Sequence, residues 1–599
     1  MLRQDPRSDG PAATRLLAAT LRPDARSLAG ILAVLSVAMV GRLSLPLLLG
    51  RFADDALDGR SVAALTPLAA AYVAAALGSA GLDLVAVWWS ARVSWRAGNR
   101  LRERLAAHAL RLEQGWHSRY SPGQLIERID GDVESMAIFF ADIAVRLAGN
   151  AVLLAGLLAV ATAIDPLTGL VLTVTALAGA GVLVRLRMAA VAAREAEREV
   201  NAQLYGDLEE RLGGLEDLRA NGAGGYAVHR LQVHSARWWR AARHAALRGD
   251  SAHAASALVF AAGSAATLAT GIVLQQRGVV TVGTVLALYR YSDLMRRPLE
   301  QVAEQLKQFQ KAMAGARRAS TLLATVPAIQ DGPDDGRGLP RGALGVDLDG
   351  VSFTYGTGRV PALVDVDLHL APGRHLGVVG RTGSGKTTLG RLVLRFWDVE
   401  EGAVRLGGVD VRDLTIAALR ERVAVVTQDV DLFRASVRDN LTLFGARRAT
   451  DDRLRAVLAD VGLGPWLAAL PAGLDTHLDG ARSLSAGEGQ LVALARAFLA
   501  RPDVVVLDEA SSRLDPGTER RVAAATRALL DGRTAIVIAH RLDTLAQLDE
   551  IAVVDRGRIV EHGTRAELAL RPGSRYARLQ RAGGARAALD DLLADEATA

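Results

Sequence analysis

The chain has 599 residues, 50% of them hydrophobic, with 71 Lys and Arg against 65 Asp and Glu. It contains no cysteine, which excludes a disulfide framework and any Cys-based zinc or iron–sulfur site. The basic excess is nearly all arginine: the lysines are Lys307, Lys311 and Lys386, and the arginines flank apolar segments instead of gathering on one basic face. That spread argues against a nucleic-acid partner and for a membrane protein with a lipid bilayer around it. The first 26 residues are too charged for a secretory signal peptide.

Six apolar stretches follow one another at 28–50, 64–90, 138–163, 167–188, 254–275 and 279–300. Each approaches the roughly 20 residues that cross a bilayer core. The sixth is interrupted by Arg290, Asp293, Arg296 and Arg297, and the first encloses Arg42, which reads either as a functional group or as a structural one lining the interior. The connection at 51–62 is short and acidic, whereas 91–137 is rich in arginine, so the positive-inside rule puts the N-terminus and the long connections in the cytoplasm. The connections 91–137 and 189–253 are polar and helix-patterned, and limbs of about 20 residues would reach some 30 Å past the bilayer.

Composition changes at Pro327–Gly342, a Pro/Gly/Asp-rich linker. Beyond it, Leu376–Val379, Val423–Thr427, Val504–Leu507, Ala535–Ala539 and Ile551–Val554 are short β-branched runs alternating with helical patterns, the mark of a mostly parallel sheet buried on both faces. The organisation expected is a transmembrane domain over 1–325, a linker over 326–344, a nucleotide-binding domain over 345–582 and a charged tail over 583–599.

Gly380-Arg381-Thr382-Gly383-Ser384-Gly385-Lys386-Thr387-Thr388 sits between a strand and a helical run. This is the G-x-x-x-x-G-K-[ST] pattern: backbone N–H groups wrap phosphates, Lys386 reaches the β- and γ-phosphates, and the Thr387 hydroxyl ligates Mg²⁺. Val504–Glu509 ends a strand in two acids, Asp508 suited to an outer Mg²⁺ contact and Glu509 to activating the attacking water. Gln428 and His540 each follow a strand and are candidates for the metal and water, and for the γ-phosphate. Tyr355 is a candidate for stacking on adenine or a core residue. Leu484–Gln490, Leu-Ser-Ala-Gly-Glu-Gly-Gln, opens a helical run with a serine and a glycine whose hydroxyl and N–H groups suit a phosphate.

In this order, Tyr355, the phosphate loop, Gln428, the heptad, Asp508-Glu509, Ser512–Asp515 and His540 resemble the nucleotide-binding domain of ATP-binding cassette (ABC) transporters. The apolar region resembles the exporter-type membrane domain fused ahead of it. The resemblance implies an α-helical six-span transmembrane domain followed by an α/β P-loop ATPase, ATP and Mg²⁺ as ligands, and catalytic roles for Glu509, His540 and Gln428. It implies metal contacts from Thr387, Gln428 and Asp508, and a D-loop containing Ser512 and Asp515. It further implies that Ser485, Ala486, Gly487 and Glu488 grip ATP held by a second subunit. The limb tips that dock on the nucleotide domains are expected at Ser121–Asp132 and Asn221–Arg230.

The chain departs from the family pattern in its signature, where Ala486 replaces a glycine and Glu488 a glutamine, and at Arg513, where a small residue is usual. An acid facing a triphosphate is unfavourable unless it points away. With Lys386, Asp508, Glu509 and His540 intact, this pattern leans towards one subunit of a heterodimer, a homodimer being the alternative. The expected function is ATP-driven transport of a small or amphipathic molecule, by default export, in a bacterial plasma membrane. The alternatives are a siderophore-type importer on the same architecture and a non-transporting ABC ATPase.

Overall fold

A computed structural model describes residues 9–142, 147–356, 358, 360–427, 430–480, 484–508, 516–539 and 542–582. The chain divides into two compact units, one of residues 1–110 and 122–325, the other of 111–121 and 326–599.

The first unit is helical. Its elements are α1 (Asp9–Leu21), α2 (Ala25–Leu57), α3 (Val62–Ala109), α5 (Pro122–Ile126), α6 (Asp132–Asp142), α7 (Ala148–Ile164), α8 (Pro166–Gly213), α9 (Leu215–Ala220), α10 (Gly224–Gln276) and α11 (Val282–Ala324); the short α4 (Gln114–His117) belongs to the second unit. Among the described residues the six apolar stretches lie on these helices, except for 279–281 at the start of the sixth. Among the described residues four helical runs, 11–57, 62–109, 166–213 and 224–276, are long and apolar enough to cross a membrane. The third stretch is shared by α6 and the 17-residue apolar α7, and the sixth lies on α11, where Arg290 pairs with Asp293 along the helix at 3.8 Å. Short connections are capped by polar side chains. Asp165 is the only residue between α7 and α8, and its carboxylate accepts from the Thr168 amide at 2.8 Å, ahead of Pro166 in the first turn.

Helices α3, α8 and α10 contain 48, 48 and 53 residues. At about 1.5 Å per residue they run some 70–80 Å, against about 30 Å for a bilayer core, so each continues as a polar limb. Polar contacts join the helices at several levels. Arg42 on α2 pairs with Asp83 on α3, Asn150 on α7 donates to Gln301 on α11 at 2.9 Å, and the Tyr291 hydroxyl on α11 donates to the Leu43 carbonyl at 2.6 Å. The Arg42 side chain is therefore partnered within the bundle. At the short-connection end, Asp54 accepts from the Gly283 amide at 2.7 Å and the Thr281 hydroxyl at 2.6 Å. There α2 and α11 cross backbone to backbone: a Cβ on Gly283 would stand 1.9 Å from the Gly50 carbonyl oxygen.

The second unit holds two sheets. The strands are β1 (Val346–Phe353), β2 (Leu363–Leu370), β3 (His375–Val379), β4 (Glu401–Leu406), β5 (Val409–Asp410), β6 (Val423–Val426), β7 (Val504–Asp508), β8 (Thr534–Ile538), β9 (Glu550–Asp555) and β10 (Arg558–Thr564). The order β2-β1-β4-β5 forms an antiparallel sheet, and β10-β9-β3-β8-β7-β6 a second sheet, parallel except for β10. The five apolar runs expected as strands are β3, β6, β7, β8 and β9. β8 is buried along its whole length, as a strand covered on both faces must be. β2 instead alternates buried and exposed residues, the pattern of a sheet with one face in solvent.

Candidate nucleotide site

The phosphate loop leaves β3 at Val379 and enters the helix Lys386–Val393. Its path needs glycine where the backbone is crowded. Gly380 has φ +153°, and a Cβ there would stand 2.0 Å from the Val554 carbonyl oxygen; Gly385 has φ +110° and would place one 2.6 Å from the Ala362 oxygen. Thr382 and Gly383 form the exposed crest. The Lys386 side chain is buried, and its ammonium donates to the Gly380 and Arg381 carbonyls at 2.6 and 2.8 Å. The loop thus closes around the cation that the triphosphate would take up. Ser384 Oγ is buried with no hydrogen-bond partner, a polar atom that a phosphate oxygen would satisfy.

β7 lies two places from β3 in the parallel sheet, so Asp508 and the phosphate loop share the edge formed by the strands' C-terminal ends, where α/β sheets bind ligands. The Asp508 Oδ1 is buried and makes no hydrogen bond. A buried carboxylate oxygen without a partner is costly, and a divalent cation or its water shell supplies the missing contact. Thr387, at the start of the loop helix, and Asp508 fit Mg²⁺ as a hydroxyl and a carboxylate donor. Gln428, Glu509, Ser512, Asp515 and His540 lie outside the described residues. The strands β6, β7 and β8, which precede Gln428, Glu509 and His540 in the chain, are parallel neighbours.

Tyr355 follows β1 and is half-buried. Its hydroxyl donates to Thr388 Oγ1 at 3.2 Å, and its ring meets Phe353 and Trp397 edge-on at centroid distances of 4.9 and 5.1 Å. One edge of the ring thus packs on the core aromatics, and the hydroxyl is tied to the phosphate-loop helix.

In the signature heptad, Ser485 caps the helix Ala486–Ala500 and is exposed, as is Ala486, while Gly487 is buried. Glu488 turns back towards the cap. Its Oε2 accepts from the Ser485 amide at 2.8 Å and the Ser485 hydroxyl at 2.9 Å, and its own amide donates to Ser485 Oγ at 3.3 Å. This is a capping box. The same helix is anchored by Arg496, which donates to the Asn440 carbonyl at 2.8 Å and the Asp431 carbonyl at 3.0 Å. Burial pulls this guanidinium below the usual arginine range, against the opposing charge of Asp431. Arg496 was not a sequence candidate, because an arginine in a helix carries no signal of its acceptors.

A family model described as the ABC transporter matches residues 363–512, and one described as the ABC transporter transmembrane region matches 28–299. The fatty acid ABC transporter ATP-binding/permease protein of Mycobacterium tuberculosis is 30% identical over 478 residues, 80% of this chain and 75% of that protein. The chain belongs to the ABC transporter family. It is an integral membrane protein with the family's transmembrane region and ATPase cassette fused in one polypeptide. The multidrug efflux ATP-binding/permease protein of Mycobacterium bovis is 33% identical over 525 residues, 86% of this chain, but the chain spans only 43% of that protein's length. Among solved structures, a bacterial Atm1-family ABC exporter with ATP bound superposes with a TM-score of 0.78 at 25% identity, covering 95% of this chain and 100% of the other. The architecture is thus that of an exporter-type ABC transporter.

Proposed function

We propose that the protein uses ATP hydrolysis to export an amphipathic molecule across a bacterial plasma membrane, as one half of a dimeric ABC transporter with its cassette in the cytoplasm. The observation that carries this reading is the phosphate loop with Lys386 held in its own carbonyls, beside the unpartnered Asp508 oxygen, on the same chain as the membrane helices. Support for export and for an amphipathic cargo comes from the likeness to an Atm1-family exporter and from relatives named for multidrug efflux and fatty acids.

In this reading ATP lies over Gly380–Thr388, and Lys386 exchanges its two carbonyl partners for phosphate oxygens. Tyr355 packs against the adenine. Thr387, Gln428 and Asp508 would hold Mg²⁺, which neutralises phosphate charge. Glu509 takes the proton of the attacking water, and His540 contacts the γ-phosphate. The exposed Ser485 reaches the nucleotide of the second subunit, with Ala486, Gly487 and Glu488 around it and Ser512 and Asp515 completing the interface. Because Glu488 already occupies the Ser485 donors, the site completed by this chain's signature is the weaker of two, which favours a heterodimer.

The test is ATP-dependent flux of labelled amphipathic lipids and dyes in membrane vesicles of opposite orientation. Export predicts accumulation in inside-out vesicles, lost in Glu509→Gln. Accumulation only in right-side-out vesicles would replace export with uptake.

A further inference from the structure

Trp397 touches two things that no motif connects. On one side its ring stands edge-on to Tyr355, with centroids 5.1 Å apart and planes at 89°, while the Arg391 guanidinium lies over it at 5.8 Å. On the other side its Nε1 lies 2.8 Å from where a Cβ on Gly115 would stand, so the backbone of α4 rests on the indole edge. This turn is well fastened within the second unit. Trp116 is 5% exposed, and the Glu113 carboxylate accepts from the Ala328 amide at 3.0 Å. The segment 111–121 is joined to α3 through Leu110 alone. The segment 111–121 therefore packs as part of the second unit.

We propose that Trp397 is a positioning residue through which the base end of the nucleotide, and not only its triphosphate, sets the place of the limb segment 111–121. The proposal rests on the reading of Tyr355 as the base-packing residue. Edge-to-face packing is a favoured arrangement of aromatic rings, so a base lying on Tyr355 fixes a ring whose edge contact Trp397 keeps. The opposite edge has no slack, because Gly115 has no room for even a methyl group. Close-packed contacts pass such displacements on instead of absorbing them. The displacement arrives at a backbone that continues into α3.

The absence of cysteine makes the test direct. A nitroxide on Ser118→Cys, an exposed position in the segment, is followed by electron paramagnetic resonance in the full-length Glu509→Gln protein in nanodiscs. Mg-ATP is expected to change the spectrum and Mg-tripolyphosphate, which has no base, to leave it unchanged. Trp397→Ala should remove the ATP response while the ATP Kd rises by no more than about threefold, and Trp397→Phe should restore it. If the alanine variant does not fold, Gly115→Ala, which pushes on the indole from the other side, should alter the response in its place. An undiminished ATP response in Trp397→Ala, or in Gly115→Ala where that variant replaces it, overturns the proposal, as does an equal response to tripolyphosphate. Tyr355→Ala separates the two readings: unchanged ATP affinity there defeats the base-packing role itself, whatever Trp397 does.

Discussion

Glu488 folds back on Ser485, accepting from its amide at 2.8 Å and its hydroxyl at 2.9 Å. The two donors that a signature serine would turn towards a partner's γ-phosphate are thus held by a carboxylate of the same chain. The geometry is good for the helix and poor for a triphosphate, since an anion placed at a helix N-terminus competes with any other anion that comes to it.

Glu488→Gln separates charge from cap, because a glutamine oxygen can accept the same bonds. ATP-dependent closure of the dimer, followed by crosslinking or by ATP titration, should improve by about five- to tenfold, roughly 1–1.4 kcal/mol. Glu488→Ala loses the box as well and should lower the melting temperature relative to Glu488→Gln. An unaltered ATP titration in Glu488→Gln would mean that the carboxylate swings clear without cost.

The phosphate-loop glycines should differ in a graded way. Gly380→Ala and Gly385→Ala meet backbone oxygens at 2.0 and 2.6 Å, whereas Gly383, with φ +81°, has open space around it. Gly383→Ala should therefore cost only the left-handed backbone strain of about 1–2 kcal/mol. The other two should abolish measurable binding of a fluorescent ATP analogue.

Lys386→Ala and Glu509→Gln should fail differently. The first removes the phosphate-gripping ammonium and should raise the Kd for ATP. The second should leave ATP bound while hydrolysis falls by about 10²- to 10⁴-fold, the usual contribution of a positioned base. Nucleotide binding and turnover measured on the same preparation distinguish them.

Arg42 and Asp83 are predicted to behave as a unit in the bundle. Arg42→Ala leaves the aspartate, and Asp83→Ala the arginine, without its partner, and each should cost about 3–5 kcal/mol if the pair is dry in the bilayer. The double variant should recover most of that loss. Thermal stability in detergent and in nanodiscs checks the cycle. Additive losses would show that the two side chains are independently solvated.

The parallel sheet was legible because its strands are short, apolar and β-branched, and so was the phosphate loop, whose spacing and residue types are dictated by close backbone approach. The antiparallel strands β1, β2, β4 and β5 were not read. Leu363–Leu370 does alternate, with Asp365, Asp367 and His369 facing outward, but aspartate is depleted in strands and the apolar residues form no continuous run. Arg42 was legible as an anomaly in an apolar stretch, but its partner lies 41 residues away on another helix, a distance at which no local pattern operates. Trp397 gave no signal for the same reason, since its meaning comes from Tyr355 and Gly115. The inward turn of Glu488 was within reach of the sequence, because Ser-x-x-Glu at a helix start is a capping box whatever else the heptad does.

At the short-connection end, Gly50 and Gly283 bring α2 and α11 together with no side chain between them, and Asp54 adds two hydrogen bonds across the join. A seam of this kind behaves like a press-stud. Opening the seam at the glycines re-sorts no side chain of their own, so what resists parting there is the pair of Asp54 hydrogen bonds. Any bulkier residue at either glycine would wedge the stud open.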